Sequence, residues 1–411
     1  MWNKLFAVFI NFLFFFHPIF HAYLSLQGIE QGAGQKQYFN IVISIIAWLL
    51  FFHYYLFGKE KITKHHRKVL IVVFFVGICY WLTGQFYGDM PHGYYASLLG
   101  WGSAGLSGML AGIMIMDKRR LIEVSKLIPY FSIITTIVIT SFTYVAGEIV
   151  RYGNDFGWDY QIISYYMADC FLLNAYYLFF FKEKPKTLFQ RILNIAVVFT
   201  MFVDAYQAYY AGGRGGAVLQ TFALIFILLY LLKNKYISVI QVAFITVISI
   251  VGFMFIANKM DLMGSEGFGR ISDFSSFQSD GRVDLYKSAF NYWEKSPIIG
   301  YGIGSIWHTV GYYSHNIFTD VLVEGGMIGF IFIVFLLFRA LVRLYKYSLV
   351  DKNLVLVLFY SFTGLIMLLF SAYWFDNEQF WFLMGAAWSV DYKKIMANWL
   401  SNGKGYNLRF S

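Results

Sequence analysis

Residues 317–338 read IFTDVLVEGGMIGFIFIVFLLF, twenty-two residues with two acids and no base. A helix of that length reaches roughly 33 Å at 1.5 Å per residue, enough to cross about 30 Å of hydrocarbon. A soluble core helix has no need of so long a run. The stretch reads as a membrane span, and Glu324 lies about two turns into it. A buried acid in a membrane costs several kcal/mol and defaults to a functional or partnered role.

Eleven further runs lie at about residues 4–24, 38–57, 69–87, 94–116, 127–147, 161–181, 192–211, 216–232, 237–257, 353–374 and 379–391, the last of them short. Composition agrees. Of 411 residues, 59% are hydrophobic, 21% aromatic and 13% charged, against about a quarter charged in a soluble domain. A soluble globule, a disordered chain and a coiled coil are excluded. Lipid offers the backbone no partner, so runs of this length are helices rather than barrel strands. The expectation is an all-α polytopic membrane protein, with about 12 transmembrane helices in one integral-membrane domain over residues 1–411.

Lys and Arg set the orientation. With the N-terminus inside, 24 of the 32 fall on inner segments. Both termini are then cytoplasmic and the protein sits in the cell inner membrane. The net charge of +9 is mostly this signal, suited to anionic headgroups and calling for no nucleic acid. The first run lacks a small-residue cleavage site, so it reads as an anchor rather than a removed signal peptide. Cys79 and Cys170 fall inside separate spans and offer neither a disulfide framework nor a metal site.

One connection breaks the pattern. Residues 258–316 form a long outer loop, and loops of that length tend to be functional. It opens polar and glycine-rich (GSEGFG, 264–269), then reads SDGRVDLYKSAFNYW over 279–293. Val283, Tyr286, Ala289, Phe290 and Trp293 recur at helical spacing after a cap at Ser279 or Asp280. This predicts a short amphipathic helix against the outer membrane surface, ended by Pro297. SPIIGYGIG (296–304) follows as a glycine-alternating turn, and YSHNIFTD (313–320) leads into the tenth span.

Each candidate residue has a plain reading beside a chemical one. Arg214 stands in AGGRGG (211–216), between spans seven and eight at the outer face. It could be a snorkelling interfacial Arg, but the flanking glycines give close backbone access, and guanidinium suits bidentate phosphate contact. Arg282 has the same two readings, and on a surface helix a merely solvated charge is the plainer. His315 can take a proton near neutrality, although a lone His at a span entrance is more often structural; His308 has nothing beside it. Asp169 and Asp204 fall within spans and read as interhelical pairs. No D-x-D pair, P-loop, HExxH or GxSxG is present, which removes a metal-held nucleotide sugar, an ATP pump and an intramembrane metalloprotease.

Three elements in this order resemble the O-antigen ligase and O-antigen polymerase superfamily of bacterial membrane glycosyltransferases. They are Gly213-Arg214-Gly215-Gly216; Gly281-Arg282 leading through Tyr292-Trp293 to Ser296–Gly302; and His315-Asn316 followed by Glu324-Gly325. The likeness covers roughly residues 205–335. One departure is Gly213, where the superfamily often has Ser. The resemblance implies a helical fold with an extracytoplasmic active site roofed by the long loop. It implies an undecaprenyl diphosphate-linked oligosaccharide donor, a glycan acceptor, diphosphate binding by Arg214 and Arg282, and His315 as base. Asn316, Glu324, Gly213, Gly215, Gly300 and Gly302 would support them, and no metal or cofactor is required.

The chemistry points the same way. Outside the membrane there is no ATP or nucleotide sugar, so the donor must bring its own energy, and a lipid diphosphate is already a good leaving group. Two arginines could stabilise its developing charge. The leading expectation is a repeat-unit polymerase for a surface polysaccharide (capsule, exopolysaccharide or O-antigen), with a chain-length regulator and a flippase as candidate partners. The alternative is a ligase transferring the glycan to lipid A-core. A rival of another class is a lipid-linked oligosaccharide flippase or other transporter.

Overall fold

The computed structural model describes residues 2–16, 19, 34–57, 64–87, 105–145, 148–149, 160–181, 187–211, 213–233, 238, 282–350 and 352–389. Regular structure there is almost wholly helical. The helices are α1 (Trp2–Asn11, continued by a π turn Phe12–Phe16), α2 (Gly34–Phe57), α3 (Lys64–Tyr87), α4 (Gly105–Ile115), α5 (Lys118–Thr143), α6 (Tyr160–Phe179), α7 (Leu188–Tyr210) and α8 (Arg214–Lys233). After them come α9 (Arg282–Lys295), α10 (Ile306–Thr309), α11 (Ile317–Val350), α12 (Val355–Phe370) and α13 (Glu378–Ser389). The exception among the described residues is an antiparallel pair, Tyr144–Val145 with Glu148–Ile149.

Among the described residues, five helical stretches are long and apolar enough to cross a membrane: Lys64–Tyr87, Lys118–Ser141, Leu188–Tyr210, Arg214–Leu232 and Ile317–Ser348. Trp2–Phe16, Ile41–Phe57, Gly105–Ile115 and Val355–Phe370 are apolar but shorter. The expectation of about twelve spans extends over residues outside the described ones, which hold these five by length. The ninth expected span, 237–257, lies outside the described residues except for Ser238, and so do the GSEGFG stretch and the proposed cap at Ser279 or Asp280. Large apolar side chains point outward from these helices, among them Phe75 at 64% and Phe202 at 72% exposure. Surfaces of that kind suit lipid, not water, and the chain is membrane-integral.

The described residues fall into two compact units. One holds those within 1–17, 27–127 and 281–411; the other holds those within 18–26 and 128–280. In the first, α13 lies against α4, every residue of which is buried. Small residues allow the approach. A Cβ on Gly108 would meet the Glu378 backbone, one on Gly112 the Phe382 carbonyl, and one on Gly385 the Met109 carbonyl. Gly108 and Gly112 make a G-x-x-x-G stripe, which lets backbones touch where no hydrophobic effect drives helices together.

Helix α9 forms where its spacing predicted it and ends at Lys295, before Pro297. It lies against α11, with Ala289 buried and Phe290 of its apolar stripe left 44% exposed.

In the second unit α6 packs against both α7 and α8. Thr187 and Gln190 cap α7 reciprocally, each side chain taking the other residue's backbone N–H. Asp204 on α7 is fully buried and accepts from Thr136 on α5 (2.6 Å) and Asn174 on α6 (3.2 Å). It is the interhelical tie its position suggested. Asp169 is also buried, and Cys79 and Cys170 are both free thiols.

Candidate functional site

The site in the first unit is built on a broken helix. Within α11, Gly326 has φ 57° and ψ −159°, so two helical pieces join across a kink. In an unbroken helix Met327 N–H would donate to Val323 and Ile328 N–H to Glu324. Instead Met327 N–H reaches Pro297 O (2.8 Å) and Ile328 N–H reaches Ile298 O (3.2 Å). The freed carbonyls of Val323 and Glu324 accept from Tyr301 N–H (3.0 Å) and Gly302 N–H (2.7 Å). The SPIIGYG stretch is thereby spliced into the gap, and all four orphaned backbone groups are satisfied.

Two glycines make the splice sterically possible. Gly300 has φ 67°, and a Cβ there would lie 2.5 Å from the Glu324 carbonyl carbon. A Cβ on Gly326 would run into the Ile298 carbonyl. The two chains cross backbone to backbone, which only glycine permits at both points.

Glu324 ties the crossing together. Its carboxyl, 2% exposed, accepts from Gly304 N–H (2.9 Å) and Tyr373 Oη (2.5 Å) on Oε1, and from Trp374 Nε1 (2.9 Å) on Oε2. These neutral donors join the glycine turn, α11 and the segment after α12. This is how an acid in that helix is accommodated.

His315 precedes α11 and is the one non-glycine residue with positive φ (62°) among the described residues. The turn is held on both sides. Before it, Ser314 donates its backbone N–H (2.8 Å) and hydroxyl (2.5 Å) to Oδ1 of buried Asp320, and its hydroxyl also lies against Thr319. After it, Asn316 caps α11 by accepting Phe318 N–H (2.9 Å), while its amide reaches Leu369 O at 3.4 Å.

The half-buried imidazole sits 4.5 Å from the Tyr313 ring and 5.5 Å from that of Tyr312, centre to centre. Its Nδ1 faces Ser371 O at a long 3.4 Å, and that carbonyl also accepts Tyr313 Oη at 3.1 Å. With Nδ1 as the donor, Nε2 carries the lone pair, the arrangement a general base needs. Burial pushes the Tyr313 phenol above its ordinary range, so it stays a neutral donor.

The other candidates are placed as follows. Half-buried Arg282 is the first residue of α9, in the unit that holds His315. His308 is exposed on α10, with Tyr87 stacked on its ring (5.3 Å, 9°), so the expectation of nothing beside it is corrected. Gly302 (φ 100°) faces the Thr83 side chain.

Half-buried Arg214 is the first residue of α8, in the second unit. Its glycines have a structural use that the sequence reading assigned to ligand access. A Cβ on Gly213 would press on the Ser164 side chain, one on Gly215 on the Tyr165 hydroxyl, and one on Gly216 on the Ser164 backbone. They let α8 lie directly on α6, and Ser164 Oγ is within bonding reach of Ala208 O (2.6 Å) and Gly213 O (2.9 Å). Gly212 lies outside the described residues. Arg214 stands at the end of α8 where the helix dipole is positive.

Among the described residues, no three His, Cys, Asp or Glu are grouped to hold a metal ion. Sequence reasoning did not find the Ser314–Asp320 tie, the Ser371 carbonyl, or Tyr373 and Trp374. These contacts cross between segments, and none carries a spacing signal.

Fold and site together define a helical membrane protein with a half-buried imidazole beside a spliced helix. Residues 196–334, a third of the chain, match the model of the family described as O-antigen ligase, and this match supports the O-antigen ligase-like superfamily, whose members are membrane glycosyltransferase-like enzymes. Asp204, Arg214, Arg282, His308, His315, Asn316 and Glu324 fall inside it, and Asp169 does not. No curated protein and no solved structure matches the chain.

Proposed function

We propose that the chain is a lipid-linked repeat-unit polymerase for a surface polysaccharide, transferring a glycan from undecaprenyl diphosphate to a sugar hydroxyl of another lipid-linked repeat. The observation that carries this is the posture of His315 within the matched segment: a left-handed backbone, with Nδ1 turned to the Ser371 carbonyl. Nε2 takes the proton of the acceptor hydroxyl. The acceptor oxygen then bonds the anomeric carbon as the bond from that carbon to the phosphate oxygen breaks. The diphosphate leaves with the electron pair, its growing charge met by a guanidinium, for which Arg282 and Arg214 are the candidates. One displacement inverts the anomeric centre, and no metal or cofactor is needed.

In this reading both termini are cytoplasmic, the 258–316 segment lies outside the inner membrane, and a flippase and a chain-length regulator are the partners. The second reading is transfer to lipid A-core, which uses the same three side chains; a flippase would leave His315 without a task.

The test is Arg214→Ala in place of the chromosomal copy. Single repeats on the carrier at the outer face mean polymerase. Long carrier-linked chains with none on lipid A-core mean ligase. Lipid trapped facing inward means flippase and defeats the proposal.

A further inference from the structure

We infer that Asp320, acting through Ser314, is the positioning residue that aims the His315 ring; the inference rests on His315 as the proposed base. A side chain rarely adopts positive φ, and such a backbone persists only where its surroundings hold it. At His315 the hold is asymmetric. On the far side Asn316 caps α11, an ordinary task for Asn in that position. On the near side one carboxylate oxygen of Asp320, from the first turn of α11, takes both the N–H and the hydroxyl of Ser314. That link spans His315 and closes the turn like a clasp.

Asp320 is fully buried, and its other oxygen, Oδ2, has no hydrogen-bond partner. Packing alone would be met by an apolar side chain at far lower desolvation cost. What the acid supplies is an acceptor for two donors at one point. A reversal of φ at His315 would send the ring out from the other side of the chain, away from the Ser371 carbonyl that orients Nδ1. A misplacement of about 1 Å can cost a catalytic group roughly a hundredfold in rate.

The experiment reads the ring directly. Purified full-length protein in detergent is treated with diethyl pyrocarbonate, and carbethoxylation of His315 is followed by peptide mass spectrometry. In parallel each variant replaces the chromosomal copy and its polysaccharide is measured. Asp320→Ala is expected to change the His315 labelling rate severalfold and to abolish product. Asp320→Asn, which keeps an oxygen for both Ser314 donors, is expected near wild type in both readouts. Ser314→Ala, which removes only the hydroxyl, is expected between them and serves if Asp320→Ala fails to fold. Unchanged labelling in Asp320→Ala and Ser314→Ala overturns the inference, as does altered labelling with full product. If His315→Ala itself makes full product, the assignment of His315 as base fails, and the labelling still decides whether Asp320 aims the ring.

Discussion

The backbone N–H of Gly302 donates to the carbonyl of Glu324 at 2.7 Å, in the place an unbroken α11 would give to Ile328. A loop residue thus completes a helix twenty-two positions further along. The site depends on that substitution, because the same crossing brings Gly304 N–H to the Glu324 carboxyl.

Adjacent glycines should behave oppositely. Gly326→Ala puts a Cβ into the Ile298 carbonyl at positive φ, whereas a Cβ on Gly325 meets nothing within 4 Å. Left-handed backbone alone costs about 1–2 kcal/mol, and the backbone clash adds to it. Thermal unfolding in detergent is expected to show a large drop in Tm for Gly326→Ala. Gly325→Ala should stay within about 1 kcal/mol of wild type. Equal effects would mean the splice is not as described.

Glu324→Gln tests the carboxyl. The amide oxygen can keep Gly304 N–H and Tyr373 Oη, but the NH2 then faces Trp374 Nε1–H. One buried donor left unpaired costs about 1–3 kcal/mol. Tyr373→Phe should also destabilise, and the double variant should lose less than the sum, since both act on one network. A double-mutant cycle of unfolding free energies checks this.

On the second unit, Gly216→Ala is expected to destabilise α8 against α6, because a Cβ there meets the Ser164 backbone. Arg214→Lys should leave the Tm near wild type while lowering product about tenfold, since an ammonium keeps the charge and loses the bidentate fork. Comparing Tm with product separates packing from chemistry at neighbouring residues.

Tyr313 sets a pH dependence. Burial raises its phenol above the ordinary range, so the neutral form is the one the fold favours. Its contribution is fully present below the unfolded value of about 10 and is lost as pH rises beyond it. Wild type and Tyr313→Phe should therefore differ by a constant Tm offset from about pH 6 to 9 and converge above pH 10. A difference that changes through pH 7 would contradict this.

Much of the fold was legible in apolar run length, because lipid demands it. Helix α9 was legible in its spacing, and Asp204 as an interhelical tie in the cost of burying an acid. The close approach of α4 and α13 was not legible, since it rests on glycine contacts that hydropathy does not register. At the site, His315, Asn316 and Glu324 stood out as residue types in order. The break at Gly326 did not, because a glycine in a span reads equally as packing or as a kink. The glycines around Arg214 were read for access when their contacts show packing against Ser164 and Tyr165.

The central claim is that His315 activates the acceptor. The most direct measurement is the carrier-linked saccharide extracted from cells in which His315→Gln replaces the wild-type copy, with folded protein confirmed at normal abundance. Single repeats accumulating on the lipid while polymer disappears is the predicted result; polymer of normal length and amount would contradict it.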